Sequence, residues 1–336
     1  MANKFCKLTI ILLLLVFIIP ISLISCHDDD EEVNPDTPEI VVPPYKYQEG
    51  STIYIEMGYY PQTLETEYTV AEIKTGALQE SGYYLYNNNL YEVLTAKPCT
   101  QDMTPYFSNG EVCQDGQEYA FKVEPIVWKI INKVLKEDDY LVYSNKILDT
   151  SIFQKQEAFS YYSTYGNYYL YDSDNNLQYD KEIYANNYAN SILRLNATAF
   201  YAKAFDENNK KGINKTDVVN SSPDYGAYYE PSHQDNTQDY VFALSSAQAT
   251  NSKYGFTQED KDRRLREVTD YAVAKGVFCL QKSDEKYYGW AWTRTAADKS
   301  NKVYIIDTEG NLDKVFISSD EDHKVGFAPA MRIIIQ

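Results

Sequence analysis

Four residues near the carboxy end have the types and spacing for ligand chemistry. Tyr288, Trp290, Trp292 and Arg294 alternate with Gly289, Ala291 and Thr293. A strand has a side-chain period of two, so the pattern predicts three aromatic rings and a guanidinium on one face, with small residues on the other. Two readings follow. The tryptophans fill a core and Arg294 pairs with a buried carboxylate, or the face lines a cleft where rings stack on a sugar or peptide and Arg294 donates hydrogen bonds. Arg332, in the last apolar run, is a further candidate contact.

Other chemistry is sparsely provided for. Of five cysteines, Cys6 lies in an apolar leader and Cys26 at its end, leaving Cys99, Cys113 and Cys279. Cys99 and Cys113 are the candidate disulfide, closing a short loop in an oxidising compartment. Cys279, in Val277-Phe278-Cys279-Leu280, reads as a buried apolar residue. His233 and His323 are the histidines outside the amino-terminal region. No His-Glu-x-x-His, paired-cysteine, nucleophile-elbow or Gly-rich phosphate motif occurs, so the expected set has no catalytic residue and no metal ligand. Asp172-Ser173-Asp174-Asn175-Asn176 carries oxygen ligands but lacks the Gly and distal Glu of an EF-hand loop. It reads as a solvated turn with at most weak Ca²⁺ affinity, and no other cofactor is expected. Carboxylates are abundant, but no pair stands out for glycoside hydrolysis.

The elements that must position these residues follow from the chain as a whole. Its 336 residues carry a formal net charge of −18. Loss of Lys4 and Lys7 with the leader would shift −18 to −20. Such a chain repels nucleic acid, which removes DNA and RNA from the expected partners. The 33 tyrosines suit half-buried sheet surfaces or exposed stacking platforms. Residues 1–25 are basic and then apolar, and end before Cys26. Residues 26–45 are acidic and Pro-rich and read as a tether. Residues 46–336 read as one α+β domain, mainly antiparallel β with a few helices.

Within it, Ser51–Gly58 is a strand pattern broken by Tyr59-Tyr60-Pro61-Gln62. Gly82–Asn87 and Leu90–Ala96 form a hairpin around an Asn-rich turn. Tyr119–Val134 and Tyr140–Ser144 are further strands, and 154–183 is a Tyr/Asn-rich insertion without period. Asn190-Ser191 opens a helix through Ala204, with Ile192, Leu193, Leu195, Ala199, Phe200 and Ala204 as its apolar side. A strand covers Asp239–Leu244. Thr257-Gln258-Glu259-Asp260 resembles a capping box that starts a charged helix. A short helix from Asp270 stops at Gly276. Val303–Asp307 and Leu312–Ser318 form a hairpin around Thr308-Glu309-Gly310-Asn311, and Val325–Ile335 is a closing strand.

Resemblances to known patterns add to this reading. Leu23-Ile24-Ser25-Cys26 after an apolar run resembles the bacterial lipoprotein signal, which implies cleavage before Cys26, acylation of Cys26 and attachment to a membrane through lipid. The acidic run behind it resembles a surface-export signal. The rest of the chain resembles an uncharacterised bacterial domain of secreted and lipid-anchored proteins. The blocks that carry this are Gly58-Tyr59-Tyr60-Pro61-Gln62, Val123 to Ile130, Ser144 to Asp149, Asn190 to Asn196, Val241 to Ser245, Thr269-Asp270-Tyr271-Ala272, Trp290 to Thr295 and Gly326 to Arg332. Its ending looks like the formylglycine-generating-enzyme branch of the C-type-lectin-like fold. Phe327-Ala328 stands where that ending has an arginine. The resulting expectation is a lipid-anchored protein of the cell envelope, exposed on the outer surface, whose one α+β, C-type-lectin-like domain binds an extracellular glycan or protein rather than catalyses. The alternatives are a surface glycan hydrolase and a structural adhesin module.

Overall fold

The computed structural model describes residues 45–334, apart from 133–138, 156–157, 163–165, 173, 179–182, 221–234, 258 and 318–323. Cys26, the leader, the tether up to residue 44, His233 and His323 lie outside the described residues.

The fold is α+β, with mostly antiparallel sheets and a few short helices. A ten-stranded sheet is built on the long strands Thr52–Leu64 and Glu118–Asn132, which pair antiparallel. Asp139–Ser144 pairs with the other edge of Glu118–Asn132, and Ala330–Ile334 pairs with Asp139–Ser144. The hairpin Tyr84–Tyr86 and Asn89–Thr95 joins the same sheet. Its turn is Asn87-Asn88, both at positive φ, which is what a two-residue hairpin loop demands and Asn tolerates.

A five-stranded sheet contains Ala291–Ala296, the hairpin Lys302–Ile306 and Leu312–Phe316, Val325–Phe327 and Asp149–Ser151. A four-stranded sheet holds Lys146–Ile147, Glu267–Val268, Cys279–Gln281 and Tyr287–Gly289. The helix Ile192–Ala204 is capped by Ser191, whose Oγ accepts from Arg194 N at 3.1 Å. It buries Leu193, Ala197, Phe200 and Ala204 in one continuous core with Trp128, Trp292 and Phe327.

Several expectations are corrected. The strand at Thr52 does not stop at Tyr59. It continues to Leu64 through two register shifts. Gly58 makes this possible: its φ is +75°, and a Cβ there would meet Phe205 and Ala204 O at 2.6–2.7 Å. Pro61 fits because a bulged strand tolerates a missing donor. The carboxy-terminal run is two strands in two sheets, Val325–Phe327 and Ala330–Ile334. Leu195 is 63% exposed and not on the apolar side of its helix. The charged helix after Thr257 is a single 3-10 turn, Lys261–Arg264. The expected insertion contains a hairpin, Phe159–Tyr162 with Asn167–Leu170.

Candidate functional site

The aromatic–arginine face does not exist as one face. The chain breaks at Trp290, so Tyr287–Gly289 lies in the four-stranded sheet and Ala291–Ala296 in the five-stranded one. Tyr288 is half-buried and donates its hydroxyl to Asp284 at 2.8 Å. Trp290 is half-buried against Phe278, ring centroids 4.6 Å apart. Trp292 is fully buried and donates Nε1 to Ser151 O at 2.7 Å. Arg294 is buried and has no carboxylate ion pair among the described residues. Its Nη1 donates to Ala243 O and Gln248 Oε1, and its Nη2 to Val219 O. Burial lowers its pKa to about 10. Arg332 pairs with Asp139 at 3.0 Å. These five residues are therefore structural contacts at separate places.

The cysteine expectation also changes. No disulfide joins Cys99 to Cys113; Cys113 is a buried thiol whose pKa burial pushes up to about 12. The segment after Cys99 turns toward Cys279, whose N–H points at Met103 Sδ at 3.4 Å. Cys279 is fully buried, as its apolar neighbours imply. Among the described residues, no group of three His, Cys, Asp or Glu side chains could hold a metal ion. Asp172 turns its oxygens onto Asn176 N at 2.8 Å, Asp174 N at 3.0 Å and the Gln178 amide at 2.7 Å. Those bonds hold its carboxyl below the usual range. They also make it the acceptor of its own turn rather than a cation ligand.

Three of the resemblance blocks converge on a different constellation. Tyr60 donates to Asp149 Oδ2 at 2.5 Å, and Lys275 pairs with the other Asp149 oxygen. Tyr271 donates to Glu92 Oε1 at 3.0 Å, and Lys203 pairs with Glu92 Oε2 at 2.5 Å. Lys203 also sits 4.8 Å from the Tyr83 ring centroid. Two carboxylates do come together here, but each is engaged by one lysine and one tyrosine. The charges are mutually neutralised, and the group ties the helices Ile192–Ala204 and Asp270–Ala274 to strands of two sheets. It is an internal clamp. The Tyr83 hydroxyl is buried without a partner among the described residues.

A concave site with accessible polar groups lies elsewhere. The helix Ile192–Ala204 presents Arg194, Thr198 and Tyr201, spaced i, i+4, i+7 on one face. Residues 237–241 bring Gln238, Asp239, Tyr240 and Val241 alongside, and Lys215 closes the rim; together they line a cleft of about 230 Å³. That is small beside the ~300–1,000 Å³ of drug-sized pockets, so it suits one ring-sized group. Tyr201 and Tyr240 are stacked with centroids 4.6 Å apart and an angle of 4°. Tyr240 is 36% exposed.

Arg194 is held from below. Its Nε donates to Asp239 Oδ1 at 2.8 Å and its Nη1 to Ala189 O at 3.0 Å. Asp239 is itself fixed by Thr237 Oγ1 at 2.6 Å. This leaves the Nη2 end of the guanidinium and the exposed Lys215 as the cleft's outward donors. The one lining carboxylate is engaged by Arg194, so the cleft offers aromatic faces and donors rather than an acid–base pair. Sequence periodicity marks only the apolar side of this helix, and Thr198 and Tyr201 are not among its candidate contacts. The i, i+4, i+7 spacing was the available signal.

Residues 138–334 match the sequence family described as a domain of unknown function (DUF6273). No curated protein and no solved structure matches the chain.

Proposed function

The chain belongs to the DUF6273 family, a domain of unknown function, and from that premise we propose that it is a lipid-anchored cell-surface module that binds an extracellular glycan through the Arg194–Tyr201–Tyr240 cleft. The observation that carries this is the parallel tyrosine pair, with one ring exposed, beside an arginine fixed by a buried carboxylate. Aromatic faces take the apolar face of a sugar ring, while the donors at the rim bond its hydroxyls. A binding role rather than hydrolysis follows, because hydrolysis needs two free carboxylates across a bond. In this site one is present and engaged. The lipid anchor at Cys26, the surface location and the C-type-lectin-like character belong to the same proposal. They are supported by the leader pattern and by the resemblance of the chain's ending.

A glycan array probed with the full chain tests it. Binding to one glycan class is expected, with Tyr240→Ala losing it at unchanged melting temperature and Arg194→Gln losing it at a lowered one, because Asp239 is left without its ion pair. Absence of binding to every glycan, or binding that survives both substitutions, would reject the cleft; retention of a cell-surface protein instead would assign a protein ligand. Labelling with a fatty-acid analogue tests the anchor: the wild type takes the label and Cys26→Ala does not.

A further inference from the structure

A second constellation lies on the large sheet, independent of the cleft. Register places Tyr47 opposite Tyr54, Tyr54 opposite Lys129, and Lys129 opposite Tyr143. Directly paired residues share a face, so these four form a row across four strands. Tyr47 and Tyr54 stack at 5.2 Å. Arg266 lies over the end of the row, its guanidinium 4.1 Å from the Tyr143 ring centroid.

Arg266 is 4% exposed and has no ion pair among the described residues. Its Nη1 donates to Arg263 O at 2.9 Å and Leu265 O at 2.7 Å. Its Nε and Nη2 are buried and have no acceptor among the described residues. Those two donors form one edge of the guanidinium, the edge that presents parallel N–H groups to a carboxylate or phosphate.

Negative charge nearby is already engaged or turned elsewhere. Asp260 pairs with Arg263 at 2.6 Å. Glu56, two residues from Tyr54 on the same strand, has no ion pair with Arg266 or Lys129 among the described residues. Lys129 has its pKa lowered by burial and then by Arg266 and Arg263. Among the described residues, Arg263 is the one of these three cations with an ion pair, in a chain of net charge −18. An unpaired buried cation costs several kcal/mol, and 49 acidic residues were at hand to supply a partner.

We propose that the Nε/Nη2 edge of Arg266, together with Lys129 of the row that Arg266 covers at Tyr143, is a binding site for a single oxyanion, the carboxylate or phosphate group of a small ligand. The ligand's two oxygens accept the two orphan N–H bonds, and the Lys129 ammonium supplies the second charge. Binding to the native state alone raises apparent stability with ligand concentration.

The test is thermal unfolding of the full chain in acetate, phosphate and sulfate, each against chloride at matched ionic strength. A saturable rise in melting temperature is expected with at least one oxyanion and not with chloride. A response to acetate assigns a carboxylate ligand, and a response to phosphate and sulfate assigns a tetrahedral one. Lys129→Gln should weaken the apparent affinity by about tenfold or more, and Arg266→Lys should abolish the response. If Arg266→Lys does not fold, Lys129→Gln and the Arg266 Nε–H resonance of the wild type carry the decision, because that resonance shifts only if the edge is occupied. Equal melting temperatures in all salts at matched ionic strength, or an undiminished response in Lys129→Gln, would overturn the proposal.

Discussion

At the scale of single residues, burial decides what each side chain does. Trp292 and Arg294 look alike in sequence as members of one face, and both are core groups. Trp292→Ala should cost about 3–5 kcal/mol, as lost burial plus a cavity. Arg294→Ala should cost about 3 kcal/mol or more, because Ala243 O, Gln248 Oε1 and Val219 O lose their donor. Thermal or urea melts of both variants check this, and a native-like Arg294→Ala would return Arg294 to the ligand-binding set. Tyr83 makes the opposite case. Its hydroxyl is buried with no partner among the described residues, so Tyr83→Phe should be neutral or raise the melting temperature. A clear destabilisation would mean that the hydroxyl is bonded in solution.

At the scale of elements, two local devices set the frame around the clamp and the cleft. Gly58 lets the strand Thr52–Leu64 bulge past Phe205 without a break. Gly58→Ala adds a Cβ at a positive φ and against backbone 2.7 Å away. It should destabilise well beyond the ~1 kcal/mol of a tolerated Gly-to-Ala change. Ser191 caps the helix that presents Arg194, Thr198 and Tyr201. Ser191→Ala should cost about 1 kcal/mol and loosen that turn, so under the proposed function glycan affinity should fall with stability. Equilibrium unfolding measures both, and a Ser191→Ala protein with full stability would show that tertiary contacts alone hold the turn.

At the scale of the molecule, the tyrosine excess becomes a pH response. Burial pushes the phenols of Tyr60, Tyr83 and Tyr271 well above their ordinary value, with the carboxylates Asp149 and Glu92 adding to the shift. Tyr91 is pushed up to about 12, again mainly by burial. A raised folded-state pKa means that the native state keeps protons the unfolded chain releases. This stability is therefore full below the unfolded phenol value of about 10 and is lost as pH rises through the folded values. Unfolding should set in above about pH 10, and phenolate absorbance should rise together with the loss of near-ultraviolet dichroism. Phenolate appearing while the fold persists would show that these rings are accessible.

Local pattern was enough for much of the frame. The mainly antiparallel α+β class, the Asn-turn hairpin, the Thr308–Asn311 hairpin, and the helices opening at Ser191 and stopping at Gly276 all depend on neighbours within one turn or two strands. Period, caps and turn residues report such neighbours directly. The placement of side chains was not legible in the same way. Tyr288 and Arg294 are six residues apart, yet one strand hands over to another sheet at Trp290, and alternation cannot show where a strand changes sheets. Cys99 and Cys113 are close in sequence and do not bridge. Tyr60, Glu92, Asp149, Lys203 and Tyr271 meet across more than two hundred residues. The cleft joins a helix face to a strand about forty residues later, and the orphan edge of Arg266 exists only because the packed sheet leaves it without an acceptor. Composition and period are properties of the chain, whereas partners in a site are set by which elements pack. Here the packing of helices and sheets, rather than any motif, separated the five expected contacts and brought together the residues of the two proposed sites.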